Sequence, residues 1–363
     1  MNNSDQSRIS KRDEKLVRIL DGLHDPGKRA LVEKFWRVTA AAYFSHLEKI
    51  AAQVEHENRD PDEASEEFIR ASDDMLAECG RIEVLVDDPA AMQALKSLFR
   101  ERAIPLAAGS QIVKHAFLKP GGYAGDYGII EIVYENRPLS SGFGRCIDRR
   151  FLMDDYARAV RGRKNAMKEF LYEYIGSSTL PRIEILNLAC GSSREILELF
   201  RDSPPQFTGQ AAFTLVDRDP DALAFSRKAL AGLPANITFE FLNHSAYEYI
   251  KDPDQCGTEL RGKDLVYSIG LADYLPDDIL RQLIHFLFDL LNEGGKLVIA
   301  HKDSRNYRPL APDWWCDWTF HLRDEAGVRA LIEASGVQAS RVSVIREEET
   351  NIILFFVLER SGK

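Results

Sequence analysis

The chain has 363 residues, of which 45% are hydrophobic, and its net charge is −10 at neutral pH. This length allows one large domain or two ordinary ones, with enough apolar residues for a substantial core. An acidic surface repels phosphate backbones, which argues against nucleic acid as a partner. Because the N-terminus is polar and no run reaches about 18 apolar residues, we expect a cytoplasmic protein with no membrane insertion.

The cysteines argue against structural cross-links. Their number is odd, and no two of them form a C-x-x-C pair. They are Cys79, Cys146, Cys190, Cys256 and Cys316. Both features disfavour a disulfide framework and a zinc site, so we expect no bound metal.

The N-terminal third has helical periodicity. Its first long segment places Phe35 and Val38 near one apolar face of a single amphipathic helix. Two more helices are expected, at about 65–85 and 88–102. The pattern therefore predicts a helical domain over residues 1–118, whose helices are also the candidate interface of a homodimer.

Residues 119–150 have a different composition. They are rich in glycine and tyrosine and show little helical periodicity before the helix expected from about residue 151. An irregular segment of this kind in a compact chain often covers a site. We interpret it as a connecting or lid segment, with a rigid structural crossing as the alternative.

From residue 180 onward, short apolar runs alternate with helical patterns. This alternation predicts an α/β domain over residues 151–363, built on a parallel sheet with helices on both faces. Two strand-like runs end the chain, joined by a turn around 348–351. The sheet should therefore finish with an antiparallel edge strand.

The first apolar run passes directly into "ACGSS", residues 189–193, and then into a helix. In a doubly wound sheet such a turn lies at the carboxyl edge of the strand, where ligands bind. Gly191 would let a ligand approach the backbone closely. A single glycine also suits a purely structural turn, because the second glycine of G-x-G-x-x-G is replaced by Ser193.

Polar residues follow the next strands. Asp217 ends the second strand, where an acid suits the two hydroxyls of a ribose, and a role at the start of the next helix is the alternative. Asn243 and His244 follow the third strand and could meet an adenine edge, although His244 also suits an ordinary loop. Gly270 follows the fourth strand and opens a loop expected to face a substrate.

In this order the motifs resemble those of the class I S-adenosylmethionine-dependent methyltransferases, over about residues 150–360. "LNLACGS" is similar to the glycine-bearing first motif, "LNHSA" to the adenine-contacting segment, and "LLNEGGKLVIAH" to the turn into the fifth strand. The resemblance implies a seven-stranded Rossmann-like sheet with S-adenosyl-L-methionine as cofactor. The implied cofactor residues are Ala189, Gly191, Asp217, Asn243, His244 and Gly270.

The middle of the chain resembles a narrower bacterial group, which makes the methyl ester of 3-hydroxypalmitic acid, an extracellular factor. The resemblance lies in "KPGGYAGDY", the following "IIEIVY" and Arg163. It implies a small-molecule acceptor with a carboxylate, such as a hydroxy fatty acid. Arg163 would hold a carboxylate of the cofactor or of the acceptor. Tyr123 and Tyr127 offer aromatic faces to the sulfonium and the acceptor, respectively.

Residues after the fourth and fifth strands are candidates for the acceptor side. His301 and Asp273 could act as a general base, as could His244 after the third strand, with His301 as a structural histidine in the alternative. Tyr274 offers a further aromatic face near the sulfonium. A carboxylate acceptor would need alignment and desolvation rather than a base.

A group of tryptophans follows the fifth strand: Trp314, Trp315 and Trp318. Aromatic residues in an irregular loop at this edge would form a substrate wall. Packing within the helical region is the equal alternative.

Three functions fit these patterns. The favoured one is O-methyl transfer to a small carboxylate. The others are O-, N- or C-methyl transfer in specialised metabolism, and cofactor binding without methyl transfer.

Overall fold

The computed structural model describes residues 3–252 and 260–362, with side chains from residue 11 onward. It divides the chain into two compact units, Met1–Asp154 with Pro309–Thr319 and Asp155–Arg308 with Phe320–Lys363. Pro309–Thr319, which follows the fifth strand in sequence, thus belongs to the first unit. Among the described residues, no helix is long and apolar enough to cross a membrane.

The first unit consists of helices in the part that the structure describes. Its helices are α1 (Asn3–Gly22), α2 (Pro26–Lys34), α3 (Ala41–His56), α4 (Pro61–Val86), α5 (Pro89–Ala107), α6 (Gln111–Leu118), α7 (Tyr127–Glu135), α8 (Gly142–Met153) and the later Leu310–Cys316 helix. The two helices expected at about 65–85 and 88–102 are α4 and α5. Asp60 and Asp88 cap them by accepting hydrogen bonds from first-turn N–H groups, each just before a proline that suits the first helical position.

A π-helical turn, Phe35–Ala40, joins α2 to α3. The wider turn changes which side chains share a face. Phe35 is 4% exposed, whereas Val38 is 59% exposed. The prediction of one regular helix with Phe35 and Val38 on the same face is therefore wrong.

Helices α7 and α8 occupy much of residues 119–150, where the sequence predicts little helix. Asp126 organises the glycine-rich turn before α7. Its carboxylate accepts hydrogen bonds from Ile129 N (3.0 Å), from Gly121 N (3.2 Å) and from His115 Nε2 on α6 (2.7 Å). This cap begins a helix at Tyr127, so the apolar "IIEIVY" is helical.

The second unit is built on one seven-stranded sheet. Its strands are β1 (Arg182–Leu188), β2 (Gln210–Asp217), β3 (Ile237–Asn243), β4 (Lys263–Ser268), β5 (Leu291–Lys302), β6 (Ala339–Arg346) and β7 (Ile353–Arg360). Their order in the sheet is β3-β2-β1-β4-β5-β7-β6. The predicted α/β fold class, a seven-stranded Rossmann-like sheet with an N-terminal helical region, is confirmed.

The antiparallel strand differs from the expectation in its position. β7 pairs antiparallel with both β5 and β6, so it lies inside the sheet and β6 forms the edge. Six consecutive residues of β7 are buried, whereas β6 is only partly covered. A continuous apolar strand suits an inner position, and a more polar one suits an edge.

Helices connect most of these strands. They are α9 (Asp155–Gly176), α10 (Arg194–Asp202), α11 (Pro220–Leu230), α12 (Ala246–Lys251), α13 (Asp277–Asp289) and α14 (Glu325–Ala334). β1 pairs with both β2 and β4, all three parallel. The strand order reverses at β1, so the ligand crevice of this fold is expected at the carboxyl ends of β1 and β4.

The π-helical turn can be tested with two matched substitutions. Phe35→Ala should lower the free energy of unfolding by about 3–5 kcal/mol, because it removes a buried ring. Val38→Ala should change it by no more than about 0.5 kcal/mol, because this side chain is exposed. Urea unfolding followed by circular dichroism measures both. Equal losses would contradict the π-helical register and support a regular helix.

Candidate functional site

The turn between β1 and α10 has an unusual backbone. Ala189, Gly191 and Ser193 all lie in the left-handed region, with φ of 55°, 54° and 49°. This conformation is easy for glycine and costs another residue of the order of 1–2 kcal/mol. The chain therefore keeps glycine-like geometry at alternate positions even where it carries Ala and Ser.

Gly191 faces open space within this unit. A Cβ built on it would meet no heavy atom within 4 Å. Its carbonyl accepts a hydrogen bond from Ser226 Oγ (2.8 Å), and its N–H donates to Asp217 Oδ2 (2.8 Å). The backbone is thus fixed on one side and approachable on the other.

Asp217, the last residue of β2, is 5% exposed. Its second oxygen, Oδ1, accepts a hydrogen bond from Asp219 N (2.9 Å), and burial raises the pKa of the carboxyl. Each carboxylate oxygen can accept a further bond. Asp219 caps α11, as the helix-start alternative for Asp217 expects, so the cap does not decide between the two roles.

The predicted adenine residues follow β3. Asn243 is in register with Asp217, and its Nδ2 donates to the Asp217 carbonyl oxygen (3.0 Å). The structure thus brings Asn243 beside the ribose candidate. His244 Nδ1 lies 3.1 Å from Glu248 Oε2, in the capping box of α12. This contact favours the ordinary loop role for His244.

Arg163 and Gly270 lie next to each other. Arg163 is buried on α9, and a Cβ on Gly270 would lie 3.7 Å from its Nη2. The guanidinium of Arg163 therefore lies within van der Waals contact of the position that a Gly270 side chain would take, after the end of β4. This contact joins two of the predicted cofactor residues.

A buried polar group near the end of β1 was missed by the sequence reasoning. Glu195 on α10 accepts hydrogen bonds from Asn187 Nδ2 (3.1 Å) and Tyr267 OH (2.9 Å). Burial raises the pKa of Glu195, while the nearby Arg163 charge opposes the rise. The available signal was Asn187 itself, a polar residue inside an apolar strand.

Both ring nitrogens of His301 are engaged. Nδ1 donates to the Lys302 carbonyl oxygen (2.7 Å), and Nε2 accepts from Arg323 Nη1 (3.0 Å). These partners define the neutral tautomer with its proton on Nδ1. The residue is 1% exposed, and burial lowers its pKa. The geometry favours the structural role for His301 over the role of general base.

Asp273 is also held by internal partners. It is buried, forms an ion pair with the Lys302 ammonium and accepts a hydrogen bond from Lys302 N (2.8 Å). Burial alone would raise its pKa, but the charge of Lys302 and the hydrogen bonds from its side chain and backbone outweigh burial and lower the pKa to about 2. So weak a base, tied to a cation, is poorly suited to take a proton.

Aromatic rings surround this ion pair. The Lys302 ammonium lies 4.4 Å from the ring centre of Phe320 and 5.4 Å from that of Tyr156. Tyr274, which is half-buried, packs on Phe320 with ring centres 5.4 Å apart. Tyr274 thus packs beside the aromatic rings that lie over the buried Lys302–Asp273 ion pair, after β4 and β5.

The three tryptophans pack inside the first unit. Trp314 lies with its ring centre 5.3 Å from that of Phe99, and its Nε1 donates to Glu83 Oε1 (2.8 Å). Trp315 and Trp318 are buried as well. This arrangement favours the packing alternative, because these rings have little exposed surface to offer an acceptor.

Tyr123 and Tyr127 also belong to the first unit and are half-buried. They lie on either side of the Asp126 turn in sequence. Their assignments to cofactor and acceptor stay predictions.

A metal site would need several ligand side chains close together. In the described part of the chain, no group of three or more His, Cys, Asp or Glu is placed to hold a metal ion. Cys79, Cys146, Cys190 and Cys316 are buried free thiols. Cys256 lies outside the described residues.

The fold defines a class of protein. The seven-stranded sheet with its internal antiparallel β7 and the left-handed turn after β1 form a Rossmann-like α/β fold. Residues 72–227 match the sequence model of a family described as "Putative methyltransferase". The chain is thus similar to a family of putative methyltransferases over less than half of its length. No curated protein matches the sequence.

The chain is similar to several solved structures at low sequence identity. A protein of Bordetella parapertussis, described as a possible exported protein, is 16% identical with a TM-score of 0.50, over 94% of this chain and 100% of that one. The S-adenosylmethionine-dependent methyltransferase SibL, in its apo form, is 14% identical with a TM-score of 0.46, over 92% and 99%. Magnesium protoporphyrin IX methyltransferase from Synechocystis PCC 6803, with bound SAM, is 15% identical with a TM-score of 0.40, over 58% and 85%.

The left-handed turn gives a matched pair of substitutions. Ala189→Gly should raise the free energy of unfolding by about 0.5–1 kcal/mol, because the relief of strain exceeds the entropy gained by the unfolded chain. Gly191→Ala should lower it by about 1 kcal/mol, because it introduces the same strain. Chemical unfolding measures both. A loss of stability in Ala189→Gly would contradict the left-handed geometry at that position.

Proposed function

We propose that the protein binds S-adenosyl-L-methionine at the carboxyl ends of β1 and β2 and methylates the carboxylate of a small organic acid. A hydroxy fatty acid is the favoured acceptor, and an O-methyl ester is the product. The engagement of His301 and Asp273 by internal partners carries the choice of acceptor.

The cofactor half of the proposal rests on the turn and on Asp217. The open face of Gly191 offers room for a ligand close to the backbone. The Asp217 carboxylate, held by two backbone N–H groups, keeps acceptor capacity for the two ribose hydroxyls. Asn243, bonded to the Asp217 carbonyl oxygen, would lie near the adenine side. These residues fit a nucleoside without a pyrophosphate.

The choice of a carboxylate as the methyl acceptor rests on whether the reaction releases a proton. A hydroxyl or amine acceptor loses a proton and requires a base. Neither His301 nor Asp273 is placed to supply one, and His244 is bonded through Nδ1 to Glu248 in the capping box of α12. When bound, S-adenosyl-L-methionine supplies an electrophilic methyl group on a sulfonium. A carboxylate that accepts this methyl group becomes a neutral ester and releases no proton. For such an acceptor, alignment and exclusion of water are sufficient.

A buried cation supports an anionic ligand. Arg163 is buried in this unit and lies at the end of β4 beside Gly270. A guanidinium binds a carboxylate through two parallel hydrogen bonds, and its charge is strongest where water is excluded. Arg163 would hold either the carboxylate of the cofactor or that of the acceptor.

The acceptor class can be tested with isotopically labelled cofactor. The protein is incubated with S-adenosyl-L-methionine carrying a ¹³C-methyl group and, in separate reactions, 3-hydroxypalmitate and its alcohol and amine analogues. We expect a labelled methyl ester from the carboxylate, identified by mass spectrometry. Methylation of the alcohol or amine alone would contradict the carboxylate proposal. Cofactor binding without a methylated product from any of these or from a cell extract would favour a binding protein.

The cofactor site can be tested at Asp217. Asp217→Asn should weaken S-adenosyl-L-methionine binding by about tenfold or more, because hydrogen bonds to a charged acceptor are worth about 1.5–3 kcal/mol. Asp219→Asn is the matched control, since asparagine also caps helices well, and its affinity should stay within about twofold. Isothermal titration calorimetry measures both. Equal affinities for wild type and Asp217→Asn would contradict the ribose role.

Wild-type affinity should also depend on pH. Burial raises the pKa of Asp217, and the carboxyl accepts two ribose hydroxyls only while it is ionised. Binding is therefore expected to weaken as the pH falls through this raised pKa, at a higher pH than for an ordinary aspartate. Asp217→Asn should lack this dependence in the same titrations.

A further inference from the structure

Arg323 forms hydrogen bonds with the loop that follows β4. Its Nη2 donates to the Leu275 carbonyl oxygen (2.6 Å), and its Nη1 lies 3.4 Å from the Ala272 carbonyl oxygen. The N–H of His321, two residues earlier, donates to the Asp273 carbonyl oxygen (2.8 Å). The segment around Arg323 therefore forms hydrogen bonds with the backbone of residues 271–275 on both sides of Tyr274.

His301 holds Arg323 from the sheet side. The imidazole at the end of β5 accepts from Arg323 Nη1, while its other nitrogen donates to the Lys302 carbonyl oxygen. Arg323 Nε also donates to Asp277 Oδ1 on α13 (2.8 Å). The guanidinium is thus oriented by a neutral acceptor on β5 and a carboxylate on α13. Nη1 also lies 3.3 Å from the carbonyl oxygen of His321, and Nη2 is shared between Asp277 and the Leu275 carbonyl oxygen in the loop.

The contact between His301 and Arg323 needs a neutral imidazole. A second proton on Nε2 would replace the acceptor by a donor that faces the guanidinium. The charged groups that face His301 are Asp273, 3.5 Å away after β4, Lys302 on its own strand, and Arg323. Asp273 favours the protonated ring, but its carboxylate is already paired with Lys302.

We propose that Arg323 and His301 form a positioning pair that holds residues 271–275, and with them Tyr274, in place at the acceptor side of the methyl-transfer site. Neither residue acts as a base or touches the reacting atoms. The pair releases the loop when His301 takes up a proton. Its link to catalysis rests on the proposed function, whereas its hold on the loop does not.

The coupling between protonation of His301 and opening of the loop sets the direction and the size of the pH dependence. Because burial lowers the pKa of His301 below 6.5, an opened or unfolded state takes up a proton before the closed state does. Opening of the loop is therefore favoured as the pH falls below about 6.5. For a group with an ordinary pKa near 6.5, opening should increase by up to about tenfold between pH 7.5 and 5.5.

Amide hydrogen exchange by mass spectrometry tests the hold on the loop without cofactor. The reporters are the peptides that contain the N–H groups of Tyr274 and His321, which donate to Leu271 and Asp273 carbonyl oxygens. Exchange is measured at pH 7.5 and 5.5 and corrected for the intrinsic rate. We expect these peptides in the wild type to open severalfold to about tenfold more at pH 5.5.

Three variants separate the pair from general stability. His301→Gln keeps a neutral acceptor for Arg323 and should lose the pH dependence. Arg323→Lys cannot bridge two carbonyl oxygens and His301 together, so its loop should open more at both pH values. His285→Gln, an exposed histidine on α13, is the matched control and should behave as the wild type. Thermal unfolding of each variant checks the global fold.

Two results would overturn the proposal. One is equal corrected exchange of the loop at both pH values in the wild type. The other is pH dependence retained in a folded His301→Gln protein. If exchange behaves as expected but calorimetry finds no S-adenosyl-L-methionine binding, the positioning pair stands and the proposed function fails.

Discussion

The hydrogen bond from Gly191 N to Asp217 Oδ2 is the interaction on which the candidate site depends. It ties the left-handed turn after β1 to the last residue of β2, so two neighbouring strands present their ends as one surface. Parallel pairing of β1 with β2 makes this contact possible, because both carboxyl ends meet at the same edge of the sheet. The strain at Ala189 is tolerated because the surrounding sheet fixes the turn.

The other half of the edge, after β4 and β5, is organised by buried charge. Asp273 and Lys302 neutralise each other, and His301 is committed to Arg323. Buried charges are costly unless they are paired. This arrangement therefore gives a fixed polar cluster whose members are engaged with one another and are not available as bases. A site of this kind favours a reaction that depends on orientation more than on proton transfer, in agreement with the proposed carboxylate acceptor.

Strand periodicity and strand-end residues allowed the α/β class, the seven strands and the turn at Gly191 to be predicted. The sequence could not show that β7 inserts between β5 and β6, because a hairpin pattern does not say which strand pairs with the rest of the sheet. Nor could it show the π-helical turn, since one extra residue per turn leaves no compositional mark. The sequence suggested His301 as a base because it could not show that the side chain is buried and bonded to Arg323. That contact joins residues 22 positions apart and arises only in the fold.

The most direct test of the central claim is a crystal structure of the protein with S-adenosyl-L-homocysteine. The account predicts that the ribose hydroxyls lie about 2.5–3.0 Å from the Asp217 carboxylate, with the nucleoside against the open face of Gly191. A nucleoside bound elsewhere in the chain, or an Asp217 carboxylate that makes no contact with it, would contradict the account.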